Sequence, residues 1–415
     1  MNLATLIITI VLIFFIVELF LHILILRLSK RFDTILTKRD KYPLLDTEGL
    51  EKFFKTGYDP ELGWVRKPNT SKTEDSFSGE KSYNINSTGS RVNPGHEKQK
   101  TKIITFGDSY TFCREVNDDE TWQHYLAKIL KCNVSNFGVG NYGLDQALLR
   151  FKKEVKNYKD AKHVIIGVVP ETIQRNLTMW KHYSEPGNTF GFKPRFILKN
   201  NKLVLIPNPA DVKEKFLELK KIIQIANKYD HFYEEFKKSL FTFPYTFSIL
   251  KNPKRNVLLL TSSSIALFFE KVKINWRELS FISSGKIKDK LDTRVLKKES
   301  YYKDKNLSEL TLAIIKEFNK TAKENKLNPV FMMMPQPDDL EFIKKNKKVY
   351  YEDFIKEIGK IMKCIDFGEV FLKLKEPLDI FPSKKYSKTY KVYGGHYSNL
   401  GNKLVAEEIN KIIKK

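Results

Sequence analysis

Three short stretches hold residue types that could move an acyl group. Gly107-Asp108-Ser109 closes an apolar run, Lys102-Ile103-Ile104-Thr105-Phe106. A serine placed there sits where a strand hands over to a helix, and the N–H groups and dipole of a helix start favour a developing anion. Alone, a serine at such a turn is most often a helix cap. The second stretch, Asn136-Phe137-Gly138-Val139-Gly140-Asn141-Tyr142-Gly143, carries three glycines that let backbone approach a ligand closely. It lacks Walker spacing, and although Gly138-Val139-Gly140-Asn141-Tyr142-Gly143 matches GxGxxG in letters, that short pattern alone is weak evidence for a phosphate loop. The third is His396 in Tyr393-Gly394-Gly395-His396-Tyr397-Ser398-Asn399-Leu400-Gly401-Asn402. His96, His124, His163, His182 and His231 read as ordinary surface or core histidines. An imidazole exposed by glycines before the final helix could instead take the proton from Ser109, as acyl transfer requires.

Those residues need a scaffold, and the hydrophobic pattern supplies one. Strand-like runs at 102–106, 133–137, 163–169, 329–334 and 363–367 alternate with helical stretches at 144–158, 308–325 and 399–413. Such alternation predicts an α/β fold: a three-layer α/β/α sandwich with about five parallel strands. In these sheets ligands bind beyond the carboxyl ends of the strands, where Ser109, Gly138 and residues 170–176 fall. Residues 177–301 interrupt the alternation with an amphipathic helix from Asp211 to about Tyr229 and an apolar stretch from Val257 to Phe269. That stretch holds Thr261 and three serines, too short and too polar to cross a bilayer. It predicts an inserted, mostly helical cap over the strand ends, or a cap lying on a membrane surface.

The chain has 415 residues, 41% of them hydrophobic, which excludes a disordered tail because a real core can be buried. Its net charge of +24 comes mainly from lysines mixed with acids along helical stretches. That is a solvated surface rather than a basic arm, so no nucleic-acid partner is expected. Cys113, Cys132 and Cys364 lack CxxC spacing, which argues against a disulfide scaffold or a zinc site.

Residues Leu3 to Leu26 read LATLIITIVLIFFIVELFLHILIL, with only Glu18 and His22 ionisable. A helix of that length spans a hydrocarbon core of about 30 Å. Its amino-terminal flank lacks Lys and Arg, and no small-x-small site follows, unlike a cleaved signal peptide. Glu18 and His22, four apart, could bond each other or bind a partner helix; the plainer expectation is that both reach the interface. Arg27, Lys30, Arg31, Lys38, Arg39 and Lys41 follow the span. The positive-inside rule then puts the body in the cytoplasm, and the same residues would hold anionic headgroups. The organisation read from the chain is a transmembrane anchor over 1–27, a juxtamembrane extended region over 28–100, core segments over 101–176 and 302–415, and an insertion over 177–301.

Together these motifs resemble the GDSL-like SGNH hydrolases, a family of esterases and acyl-transfer enzymes. The resemblance covers roughly 101–176 and 302–415. The segments LGWVRKPN and INSTGSR are also similar to those ahead of the core in membrane-anchored bacterial members. The resemblance implies Ser109 as nucleophile, Gly138 as an oxyanion donor through its N–H, His396 as general base, and no metal or organic cofactor. Two departures stand out. The family's Gly-x-Asn-Asp block corresponds to Gly167-Val168-Val169-Pro170-Glu171-Thr172-Ile173-Gln174-Arg175-Asn176, so Asn176 is the nearest second oxyanion donor. The family's acid, two or three residues before the histidine, is replaced by Gly394 and Tyr393. The site is then a Ser–His dyad, or takes its acid from elsewhere, such as Asp366 or Asp379. The implied function is a membrane-anchored serine esterase or O-acyl transferase acting on ester-linked acyl groups of a small molecule, glycan or lipid-linked sugar. The alternative is an inactive SGNH-fold module that binds a glycan or a protein.

Overall fold

The computed structural model describes residues 2–30, 43, 45–185, 187–272, 294–385 and 391–414. Arg31, Lys38, Arg39 and Lys41 of the basic flank lie outside the described residues. Helix α1 (Leu3–Ser29) opens the chain. A hairpin of β1 (Thr70–Ser76) and β2 (Gly79–Ile85) follows, then β3 (Thr101–Gly107), the one-turn helix α2 (Ser109–Phe112) and α3 (Trp122–Leu130). Next come β4 (Asn133–Asn136), α4 (Leu144–Glu154) and β5 (His163–Val168). A second hairpin pairs β6 (Arg195–Lys199) with β7 (Lys202–Ile206), and α5 (Leu219–Tyr229), α6 (Tyr245–Lys251) and α7 (Pro253–Lys271) follow. The alternation resumes with α8 (Lys305–Glu324), β8 (Asn328–Met333), α9 (Pro337–Asn346), β9 (Lys363–Asp366) and α10 (Asn399–Ile413).

The five strands expected from the alternation form one sheet in the order β4-β3-β5-β8-β9, every pair parallel. The central strands β3, β5 and β8 are mostly apolar on both sides because both faces are covered, whereas the edge strands β4 (Asn-Val-Ser-Asn) and β9 (Lys-Cys-Ile-Asp) are mixed. Ile103, Val134, Ile165, Val330 and Ile365 meet Trp122 and Leu126 of α3 and Val405 and Ile409 of α10 in one buried cluster. On the opposite face Phe106 packs on Phe151 of α4, ring centroids 5.3 Å apart, and Phe151 packs on Phe318 of α8 at 4.8 Å. The result is a three-layer α/β/α sandwich. Local chemistry starts its helices: the Thr121 hydroxyl accepts from His124 N at 3.1 Å, and the Ser398 hydroxyl from Gly401 N at 3.4 Å. The chain leaves β3 toward β4 on one side and returns to β5 on the other, so the crevice beyond the sheet opens next to β3.

Two compact units make up the chain. The sheet unit comprises residues 51–177, 193–213 and 298–415. It takes in more than the expected core segments. Residues 51–100 are not merely extended: the Tyr83 ring meets Phe112 edge-on at 4.9 Å, and Arg91 N donates to Asn136 O at 2.9 Å. Nor is the insertion wholly helical. The β6–β7 hairpin belongs with the sheet, held by a buried Lys193–Asp145 ion pair and by Arg195 Nη1 donating to Leu177 O at 2.8 Å.

The other unit comprises residues 1–50, 178–192 and 214–297. Here α1 is apolar and exposed along most of its length, and it is long enough to cross a membrane. Glu18 and His22 neither pair with each other nor point free; the first residues of α6 hold both.

Phe318 is fully buried between α4 and the sheet. Phe318→Ala is therefore expected to destabilise the sheet unit by about 3–5 kcal/mol, read from the urea midpoint of the full chain.

Candidate active site

The strand-to-helix corner after β3 is built for close contact. Gly107 has φ +150°, and a Cβ there would lie 1.9 Å from Gly167 O on the neighbouring strand, so only glycine fits. Asp108 is fully buried and caps α2: one oxygen accepts from Tyr110 N at 2.9 Å, the other from Val169 N at 2.9 Å. Arg175 Nη1 reaches the same oxygen at 3.3 Å. The aspartate thus ties the β3 corner to the end of β5 and leaves Ser109 facing the crevice.

His396 comes to that crevice from the loop before α10. Its Nε2 lies 2.8 Å from Ser109 Oγ, the distance of a hydrogen bond between nucleophile and base. The next residue after the serine holds the loop. Tyr110 Oη donates to Gly395 O at 2.5 Å, and the Tyr110 ring lies 4.9 Å from the imidazole. On the other side, buried Tyr397 donates to Pro335 O at 3.1 Å.

The acid behind the imidazole is one that neither motif pointed to. Glu115 Oε1 faces His396 Nδ1 at 3.7 Å, inside ion-pair range though longer than a hydrogen bond, and among the described residues Nδ1 has no hydrogen-bond partner. Such contacts commonly tighten when substrate binds. Burial raises the Glu115 pKa, yet the facing ring and the Phe77 N–H, which donates to Oε2 at 2.9 Å, outweigh it and hold the carboxyl below its usual range. The side chains are 12% and 17% exposed, so the pair is largely shielded from solvent.

The two expected aspartates do other work. Asp366 caps the short helix after β9, accepting from Gly368 N at 2.8 Å and Tyr351 Oη at 3.2 Å, and burial pushes its carboxyl up to about 7. Asp379 pairs with Lys391 at the surface, 2.8 Å away. Neither contacts His396.

Both expected oxyanion donors are also committed elsewhere. The Gly138 N–H donates to Asn136 Oδ1 at 2.9 Å. A Cβ at Gly138 would lie 2.3 Å from Phe112 N, so this glycine serves the packing of its loop against α2. Asn176 is fully buried, with Oδ1 accepting from Leu144 N at 2.8 Å and Nδ2 lying 3.5 Å from Thr311 Oγ1. It fastens the start of α4 rather than facing Ser109. The donor left beside the nucleophile is the Ser109 N–H, in a first helical turn whose N–H groups have no intrahelical acceptor. Among the described residues, no cluster of three or more His, Cys, Asp or Glu side chains could hold a metal.

Arg91, the last residue of INSTGSR, braces the segment that carries both Ser109 and Glu115. Its Nε pairs with Asp118 at 2.7 Å, Nη1 donates to Phe112 O at 2.7 Å and Cys113 O at 2.8 Å, and Nη2 donates to Val116 O at 2.7 Å. A single buried guanidinium thus closes the chain between residues 112 and 118. Sequence could have raised Glu115, since it is the one carboxylate between Ser109 and Asn117. The arginine's role needed the fold.

No protein-family model matches the chain, and no curated protein does. Among solved structures, a protein assigned to the lipolytic G-D-S-L family, from Desulfitobacterium hafniense DCB-2, is similar to this chain. The match covers 75% of this chain and 99% of that one, at 13% identity and a TM-score of 0.31. An overlap so loose says nothing about activity, which rests on the geometry above.

Arg91→Ala strands a buried Asp118 carboxylate and three backbone carbonyls. It is expected to cost about 3–5 kcal/mol in chemical denaturation, with only partial rescue by Arg91→Lys, which lacks the planar fork.

Proposed function

We propose that this chain is a membrane-anchored serine esterase or O-acyl transferase of the SGNH type, with Ser109 as nucleophile, His396 as general base and Glu115 as the orienting acid. The observation that carries this reading is the 2.8 Å contact between Ser109 Oγ and His396 Nε2, with a carboxylate on the far ring nitrogen. Ser109 Oγ attacks the ester carbonyl while Nε2 takes its proton. The Ser109 N–H stabilises the oxyanion, and collapse of the tetrahedral species expels the alcohol, protonated by the imidazolium. Water or a sugar hydroxyl, deprotonated by the same ring, then releases the acyl group from the serine. Glu115 keeps the ring in the tautomer that presents a lone pair to Ser109 and offsets the imidazolium charge. Ester-linked acyl groups of a glycan or lipid-linked sugar suit a catalytic body tethered to a membrane by α1.

One observation favours a second reading, an inactive module that binds a glycan or another protein. With the Gly138 N–H and Asn176 engaged elsewhere, the oxyanion site has fewer donors than a competent hydrolase uses, and each lost donor costs about 10²–10³ in rate.

A fluorophosphonate probe separates the two. The enzyme reading expects covalent labelling of the full chain that vanishes in Ser109→Ala; a folded chain that neither labels nor cleaves a p-nitrophenyl ester supports the binding module.

Glu115→Gln keeps the shape and removes the charge. It is expected to lower kcat/KM by about 10²–10⁴-fold. Because the carboxyl is held below its usual range, it is ionised throughout the neutral region, so the deficit of the variant is expected to persist at about pH 8. A ratio of wild type to variant near one at that pH overturns the assignment of Glu115.

A further inference from the structure

We propose that residues 241–271 are a re-entrant membrane element: α6 and the part of α7 packed on α1 enter the hydrocarbon layer beside α1 and leave by the face they entered. The inference rests on the reading of α1 as the anchor.

Depth comes from Glu18. Its carboxylate accepts from Tyr245 N at 2.6 Å, Thr246 N at 2.8 Å and Thr246 Oγ1 at 2.5 Å, and His22 Nδ1 lies 2.9 Å from Tyr245 Oη. Glu18 stands eight residues before Leu26, about 12 Å along the helix axis. If α1 crosses a bilayer, the start of α6 lies at that depth too. The contact also answers why an acid is tolerated there, since an intramembrane carboxylate needs partners. Below it, Leu259, Leu260 and Ala266 of α7 share a buried cluster with Leu21, Ile25 and Leu28 of α1.

Large apolar side chains dominate the outward surface of the same segment, with Lys251 and Lys254 exposed where α6 turns into α7. Phe243, Phe247, Leu250, Val257, Ile265 and Phe268 are 46–67% exposed. An aqueous surface rarely presents so many large apolar side chains together, whereas acyl chains would cover them at no cost. Several hydroxyl and amide groups of the segment bond within it. Ser248 Oγ donates to Thr242 O at 2.7 Å, Asn256 Nδ2 to Ser248 O at 2.9 Å, and Thr261 and Ser264 donate to Val257 O and Leu260 O of their own helix at 2.9 and 2.7 Å. Donors satisfied within the segment are what hydrocarbon demands, and among the described residues the buried Ser263 hydroxyl is the exception.

Re-entry, rather than a second crossing, follows from the sheet. Strands β3, β4 and β5 precede the segment, β8 and β9 follow it, and all five are hydrogen-bonded in one sheet. The chain must therefore finish the excursion between Val168 and Asn328 on the side where it began.

The test uses the full chain in phosphatidylcholine vesicles doped with a phosphatidylcholine bearing a diazirine at the end of one acyl chain. After irradiation and trypsin digestion, label is counted on peptides 1–27, 239–251 and 256–271, and on 103–114 from the sheet. The expected result is label on 239–251 and 256–271 at least about tenfold above that on 103–114, since the carbene meets only what lies in hydrocarbon. Label on 1–27 with 239–251 at the sheet background overturns the inference and leaves the anchor standing; a protein partner on this face gives that result. A peptide 1–27 at background removes the anchor and the inference together. Whether the chain reacts with a fluorophosphonate does not enter the readout.

Discussion

A hydrogen bond between Ser109 Oγ and His396 Nε2 joins residues 287 positions apart, and most of the structure exists to make it possible. The serine stands at the carboxyl end of β3, the strand at which the sheet reverses its order. The imidazole arrives from the loop before α10, which lies on the same face as α3. Tyr110 couples the two ends, because the residue after Ser109 both bonds the Gly395 carbonyl and lies against the imidazole. Any shift of α2 therefore carries the base loop with it, which keeps the distance short.

The site is held by buried charge as much as by packing. Asp108 tethers the β3 corner to the end of β5, while Arg91 gathers the carbonyls that follow α2 and pairs with Asp118. Neither touches a reacting atom. Each would be costly to bury alone, and each is stable because its partners are fixed by strands already in place. Glu115 inherits its position from this bracing. An acid supplied from the segment after the nucleophile, instead of from the loop before the histidine, lets the base loop be made of glycines and aromatic residues without leaving the ring unopposed.

The same sheet constrains the excursion between its two halves. Strands from both halves of the chain pair directly, so everything between them has to return to its starting side, whatever apolar surface it carries. Glu18 shows how α1 and α6 meet this condition together: an acid that would be a liability in a lone span becomes the acceptor for a helix start that would otherwise expose its N–H groups. An apolar run that looks too short to cross can still belong in hydrocarbon when another helix supplies its depth.

Much of this was legible from the chain. The alternation of strand-like runs with helical stretches predicts the five strands within a residue or two, because the central strands, buried on both faces, have to be largely apolar. Ser109 and His396 stand out because glycines and a strand end expose them. The donors and the acid were not legible. Gly138 and Asn176 have the right residue types, but what an N–H or an amide does depends on which acceptor the fold brings to it, and here those are Asn136 for the one and the start of α4 for the other. Asp366 and Asp379 were nearer the histidine in sequence than Glu115, yet spacing measures proximity only within one element. The residue types and their period determined which layers form and which hydroxyl and ring could react. Packing of distant segments decided which carboxylate faces the ring and which helix holds Glu18, because side-chain partnership is set by distances in space that the order of residues does not contain.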